Sequence, residues 1–273
     1  MPEGSDVKQN MDEIRKELKG FVLTGLNILD GKYSRQITLK NCRAFKKSLP
    51  SKCIEINSKG KFAYMILENG WSIWFAFGMT GFLTTDKDLK HNNIEFIVKS
   101  PKSNFYFNDQ RNYGTIKLEP NIEDLNEKLE TLGPDPLNSR KNSRYFIEKI
   151  RSMNPNKEIS IVLLDQGLLS GVGNYVRAEA LYRANISPFI KLKNMSDDIL
   201  KKLLNAIYFI MKKVYNERPR TKNSSHQPFQ FQVYERKIDN KGNPVIWKKQ
   251  PDVGRTIYYI KNQGGGGHRG VPI

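Results

Sequence analysis

The spacing of apolar residues changes period three times along this chain, and a chain built that way cannot be one uniform bundle, barrel or solenoid. Val7, Met11, Ile14 and Leu18 recur at steps of four, three and four, which is one apolar face of a helix. Ser5 or Glu3 stands at its start, where acidic Glu3 and Asp6 suit the positive end, and Gly20 stops it. Short β-rich runs follow at 21–29, 53–57, 62–67, 71–77, 94–98 and 104–107, parted by turns rich in Gly, Pro, Asn or Lys. No helical pattern separates them, so they predict an antiparallel sandwich or barrel and not a parallel sheet. The helical period returns with Ile122, Leu125, Leu129 and Leu132, ended by Gly133-Pro134. Further helices are expected at 143–153, 159–165, 174–184 and 196–215, then a polar loop over 218–228. The last change is back to β: Phe229 to Arg236 and Thr256 to Ile260 read as hairpin strands, with Asn240-Lys241-Gly242 as a turn. The expected fold class is α+β and multidomain. A helix and antiparallel β-sandwich occupy 1–120, a helical domain 121–226, a β-hairpin appendage 227–263 and a flexible tail 264–273.

Charge narrows the partners. Lys and Arg number 45 against 28 Asp and Glu, a net charge of +17. Such an excess points to a polyanion, with nucleic acid first, because a merely soluble surface needs far less charge of one sign. An acidic membrane surface ranks second, but no basic amphipathic helix is there to lie on it. No apolar run is long enough to span a bilayer, and the N-terminus lacks a signal-peptide layout, so an intracellular protein is expected. The two cysteines, Cys42 and Cys53, form no Cys-x-x-Cys pair. Neither a zinc site nor a disulfide framework is implied, and both thiols are expected to be inert.

The chemistry starts at Pro2-Glu3. Once Met1 is removed, Pro2 is a free secondary amine, which can attack the C1′ carbon of a sugar and form an iminium ion. An α-amino group titrates near ~8, so a neutral fraction exists near pH 7, and the positive end of the following helix enlarges it. Glu3 is a carboxyl able to protonate the sugar ring oxygen. Those residues alone fit equally well a proline in a first helical turn with an acidic neighbour.

Four further patches follow in order: Lys59-Gly60-Lys61-Phe62 on an expected strand; Phe77-Gly78-Met79-Thr80-Gly81; Asp109 to Gly114, with Arg111 and Tyr113; and Leu163-Leu-Asp165-Gln with Gly171-Val-Gly173-Asn174-Tyr175. Together with Met1-Pro2-Glu3-Gly4 they make the chain, from residue 1 to about 263, resemble the Fpg/Nei family of DNA glycosylases and abasic-site lyases. The resemblance implies Pro2 as nucleophile, Glu3 as acid and Lys61 as phosphate holder and proton carrier. It implies Met79 as a wedge in the base stack, Arg111 as reader of the orphaned partner base and Tyr113 as stacker, tasks that base flipping requires. Gly173 and Asn174 open a helix able to bind phosphate, although Asn174 also fits an N-cap. Arg255 is implied to grip the phosphates flanking the lesion and to assist δ-elimination. No cofactor is implied, and the expected partner of this monomer is damaged DNA, duplex or single-stranded.

Departures from the family pattern are visible. The segment 229–263 has no cysteine, whereas most bacterial members hold this finger with four cysteines on zinc. It resembles the zincless finger of members that favour oxidised pyrimidines and hydantoins, with Phe229, Phe231, Trp247, Tyr258 and Tyr259 as a substitute apolar cluster. Ser5 and Asp6 stand where Pro and Glu are usual, so a contact from the shorter Asp6 side chain to the flipped nucleotide is weakened, and Ala76 replaces a frequent His. Two other readings compete. One is a damaged-DNA or abasic-site binder with weak catalysis, against which Pro2, Glu3 and Lys61 speak. The other is a basic RNA-associated structural protein, which accounts for the charge but not for the order of motifs.

Overall fold

The computed structural model of the chain describes residues 1–99, 102–217 and 229–264. Two compact units divide at Asp135/Pro136. The expected loop 218–228 and the tail beyond Gly264 lie outside the described residues.

Unit 1 begins with α1 (Gly4–Leu18), which buries Val7, Met11, Ile14 and Leu18, the stripe that its spacing predicts. The chain continues through β1 (Val22–Ile28), two short helices α2 (Lys32–Arg35) and α3 (Cys42–Lys47), then β2 (Ser51–Lys59), β3 (Phe62–Leu67) and β4 (Ser72–Ala76). Next come β5 (Phe82–Thr84), β6 (Asn92–Val98), β7 (Phe105–Asn108), β8 (Thr115–Glu119) and α4 (Ile122–Glu130). The strands run in the order β5-β7-β6-β1-β2-β3-β4-β8, every pairing antiparallel. Strands β1 and β2 pair only through Val22–Lys52 and Leu23–Ser51, so the strands form two halves joined at one corner. Leu23, Phe96 and Phe107 of one half share a core with Met65, Phe75 and Ile116 of the other, which makes a sandwich. Cys53 lies in that core, and burial pushes its thiol up to about 12.

Helix α4 packs its Leu125 against Tyr64 and Trp74 on the outer face of the second half. For that reason the first compact unit runs to Asp135, past the boundary at 120 drawn from the sequence. Strands β5 and β8 and helices α2 and α3 have no counterpart among the elements expected from the sequence.

Unit 2 contains α5 (Ser143–Arg151), the single turn α6 (Ile159–Val162), α7 (Asn174–Arg183) and the long α8 (Asp197–Glu217). The buried stripe of α8 includes Leu203, Ile207, Ile210 and Val214. The hairpin consists of β9 (Val245–Gln250) and β10 (Arg255–Ile260), closed by a 3-10 turn over Pro251–Val253 and Gly254 at φ +59°. This corrects the expected pairing of 229–236 with 256–260. The N–H groups of Gln232, Val233 and Tyr234 all donate to the buried carboxylate of Glu179, at 2.9–3.0 Å, and this bend leaves them unavailable to a strand ladder. The turn at 240–242 exists but closes only the isolated bridge of Ile238 with Pro244, with Asp239 accepting from the N–H groups of Lys241 and Asn243.

Candidate nucleic-acid interface and active site

Pro2 and Glu3 sit where α1 begins. Glu3 is the N-cap residue, and its backbone N–H donates to Asp6 Oδ2 at 2.7 Å while its own side chain faces the Asp6 N–H. That reciprocal arrangement is a capping box, here built from two acids in place of Ser and Glu. It fixes the entry of the chain into the helix, and Glu3 is only 1% exposed. Asp6 is thus occupied in holding Glu3. Met1 is exposed and Pro2 half-buried.

Lys61 does not lie on a strand, as its motif suggested. It occupies the two-residue turn between β2 and β3, after Gly60 at φ +60°, the place where a type II′ turn takes glycine. The turn is anchored from both sides. Gly60 N–H donates to the buried Asp135 Oδ2 at 3.0 Å, and Lys59 Nζ donates to Leu129 O at 2.7 Å. Asp135 therefore positions the Lys61 turn. Its only trace in the sequence is an acid following Gly133-Pro134. Helix α1 packs along β2 and β3, the hairpin that carries this turn.

Met79, Arg111 and Tyr113 are brought together by two loops fastened to each other. Asp109, 1% exposed, accepts from Thr80 Oγ1 at 2.5 Å through Oδ1 and from Gly114 N–H at 2.6 Å through Oδ2. Arg111 N–H donates to Thr80 Oγ1 at 3.1 Å. A Cβ on Gly78 would lie 2.7 Å from Gly114 N and from Tyr113 C, so the loops touch because glycine is there. Behind them Asn93 Nδ2 donates to Asp109 O and to Asn112 Oδ1. Burial lowers the Lys32 ammonium from its ordinary range, opposed by the charge of Asp109. On this base Tyr113 is 61% exposed, with the Arg111 guanidinium 5.2 Å from its ring centroid, and Met79 is half-buried. Neither is a core residue. Asp109, to which its motif assigns no role, is the organiser of both loops.

In unit 2, Gly173 is the N-cap of α7 and Asn174 its first residue, so Asn174 is not the cap itself. The preceding turns are held by Gln166, whose Nε2 donates to Leu164 O and Val172 O and whose Oε1 accepts from Gly171 N–H. Asn174 Oδ1 accepts from Arg177 Nη2 at 2.7 Å and Nε at 3.1 Å, which turns the amide Nδ2 away from Arg177. Arg177 is fully buried. It also donates to Ser160 O at 2.9 Å, Gln250 Oε1 at 3.0 Å and Thr256 O at 3.3 Å. Gln250 in turn donates to Glu158 Oε2 and Ser160 Oγ. Since Gln250 is the register partner of Arg255 and Thr256 follows it, one guanidinium fastens Asn174 and the base of the Arg255 strand together. Arg177 was not singled out in the sequence, where a basic residue among 45 has no distinguishing mark.

The aromatic cluster under the hairpin is partly as expected. Phe229 and Phe231 pack edge-on and lean on the helical core, Tyr258 packs on Tyr234, and Tyr259 on Phe189. Trp247 does not join it and is 68% exposed. Its register partner Tyr258 packs on Tyr234, while the Trp247 ring itself stays in water. Among the described residues, no group of three His, Cys, Asp or Glu side chains is placed to hold a metal.

Comparison with known proteins adds to this geometry. Residues 1–116 match the profile of the formamidopyrimidine-DNA glycosylase N-terminal domain, and residues 132–224 that of the H2TH domain of the same enzyme. The formamidopyrimidine-DNA glycosylase of Bacillus cereus (strain ATCC 10987 / NRS 248) is 29% identical over 215 residues, covering 76% of this chain and 75% of its own. That of Pelotomaculum thermopropionicum is 26% identical over 275 residues, 95% of this chain and 97% of its own. The fold is similar to that of the Lactococcus lactis formamidopyrimidine-DNA glycosylase bound non-covalently to DNA containing an abasic site. There the TM-score is 0.80 at 21% identity, over 96% of this chain and 99% of that one.

Proposed function

This chain belongs to the formamidopyrimidine-DNA glycosylase family, and from that premise we propose that it is a bifunctional DNA glycosylase and abasic-site lyase of base excision repair. The observation that carries the reading is the start of α1, where Pro2 precedes a Glu3 that is buried and held in a capping box. With Met1 removed, the lone pair of the Pro2 amine attacks C1′ as the damaged base departs with its bonding electrons and takes up a proton. Glu3 protonates the ring oxygen, the sugar opens, and the adduct collapses to an iminium ion between Pro2 and C1′. Loss of a C2′ proton then expels the 3′ phosphate, and a second elimination expels the 5′ phosphate. A one-nucleotide gap remains, with phosphate at both ends.

The other residues hold the DNA. Lys61, on its anchored turn, binds a backbone phosphate and carries protons during elimination. Met79 and Tyr113 fill the space that the flipped nucleotide leaves, and Arg111 pairs with the orphaned base. Gly173 and Asn174 bind phosphate at the start of α7, and Arg255 grips phosphate from its hairpin. Asp6 acts through Glu3. The boundaries drawn from the sequence, with a catalytic sandwich, a helix–two-turns–helix domain and a zincless finger, suit this division of labour. Oxidised pyrimidines and hydantoins are the proposed lesions, on the resemblance of the cysteine-free hairpin.

Borohydride trapping tests the reading. Protein lacking Met1, mixed with a duplex holding one abasic site and then reduced, should yield a covalent complex on a denaturing gel. Pro2→Gly should lose most of it, and Glu3→Gln should stop base excision. Tight abasic-site binding without any cross-link would replace the lyase by the weak-binder reading.

A further inference from the structure

Of the three tryptophans, Trp71 packs edge-on against Phe45 at 5.3 Å and Trp74 is 8% exposed beside Phe62. Trp247 is 68% exposed, more than any other large apolar side chain among the described residues. It stands in the middle of β9, between Ile246 and Lys248, on a hairpin whose other rings are packed. An indole left in water on an otherwise tightly fastened element forgoes the gain of burial.

The surroundings of this ring are cationic. Lys249 lies two residues on, on the same face of the strand, its Cα about 7 Å away. Lys248 turns to the other face, its ammonium 5.1 Å from the centre of the Phe189 ring. Lys248 and Lys249 both line a cleft of about 690 Å³, together with Lys157 and Lys191. Two acids border the same cleft, Glu158 and Asp252, and Glu158 already accepts from Gln250. Lysines therefore surround the strand on both sides of the exposed ring. Proteins that hold single strands combine these two elements: cations that track the phosphates, and an aromatic face on which any base can stack.

We infer that the exposed indole of Trp247 is a contact for unpaired nucleotides, with a base stacked on it and a neighbouring phosphate held by Lys249, two residues on along the same face of β9. The inference rests on the DNA-processing reading and extends it. It gives the enzyme a reason to engage single-stranded or locally opened DNA, and it assigns that preference to one residue of the hairpin that the chemistry does not use.

The test uses the full chain and an undamaged single-stranded oligothymidylate. Its addition should quench the emission of the solvent-exposed tryptophan. Stacking contributes about 1–3 kcal/mol per base, so Trp247→Ala should weaken single-strand binding roughly 5- to 150-fold. Trp247→Phe should keep most of the affinity, and borohydride trapping on an abasic duplex should stay within twofold of wild type. Oligothymidylate affinity unchanged by Trp247→Ala would overturn the inference, as would an equal loss on fully paired duplex. If wild type fails to trap yet binds the single strand through Trp247, the lyase reading falls and the stacking site stands. Because the ring is solvent-exposed, its removal does not threaten folding.

Discussion

Replacing Arg177 should disconnect the start of α7 from the Arg255 strand, the two elements proposed to hold phosphate in the second unit. The guanidinium is fully buried and donates to Ser160 O, Gln250 Oε1, Thr256 O and Asn174 Oδ1. Truncation leaves two of these acceptors, Ser160 O and Gln250 Oε1, buried without that donor, at about 1–3 kcal/mol each. The groups share one network, so the costs do not add in full. Loss of one member of a buried charged network typically costs about 3–5 kcal/mol, and that figure sets the expected scale for Arg177→Met. Domains of this size are stable by about 5–15 kcal/mol, so the variant should fold but open locally at β9 and β10. Hydrogen exchange should show lost amide protection in 245–260, with β2 to β4 unchanged. Affinity for abasic duplex should fall at least tenfold, because both Asn174 and Arg255 lose their fixed directions. Arg177→Lys keeps the charge but presents it at one point instead of a planar fork, so it should restore only part of the loss. Wild-type hairpin protection together with wild-type affinity in Arg177→Met would refute the reasoning.

Other perturbations probe the remaining anchors. Gly78→Ala places a methyl group 2.7 Å from Gly114 N at φ +60°, so it should separate the Met79 and Arg111 loops and reduce base excision, while abasic-site trapping suffers less. Glu179→Gln puts an N–H₂ group where three backbone N–H groups now converge. It should cost about 1–3 kcal/mol, read as a lower melting temperature. Asp239 is opposed by burial, yet hydrogen bonds from Asn243, Tyr182 and Lys241 hold its carboxyl down to about 2. Its folded pKa is thus depressed, so its contribution is present above its ordinary value near 3.8 and is lost as pH falls through about 2. Amide protection of 239–243 should decline over that window in wild type and be flat in Asp239→Asn.

The sequence was most informative where one local rule had no competitor. The stripe of Val7, Met11, Ile14 and Leu18 is fully buried because a long helix with one apolar face has one way to lie on a sheet. The core strands were legible for the same reason. Strand β5 has three residues, and β8 has only Ile116 and Leu118 to mark it, so neighbouring strands and not local pattern define them. The run 229–236 misled because Phe229, Phe231, Val233 and Tyr234 carry strand propensity, and a distant carboxylate at Glu179 overrides it. Site residues followed the same division. Pro2, Glu3, Met79 and Arg111 stand in motifs, whereas Asp135, Gln166 and Arg177 act through contacts that only the folded chain creates.

The fastening of the hairpin has a bearing on the conditions under which such a protein works. What orders β9 and β10 is a guanidinium, an amide and a set of rings packed edge to face, and the segment 229–263 contains no thiol. A guanidinium is tethered to its own backbone and stays charged at every physiological pH. Chelators have nothing to withdraw from these contacts, and peroxide has no sulfur to convert to sulfenic acid in that segment. With oxidised bases as the proposed substrate, the cells that supply most of it are also those with the most oxidant. This hairpin keeps its shape by groups that such a cell leaves alone.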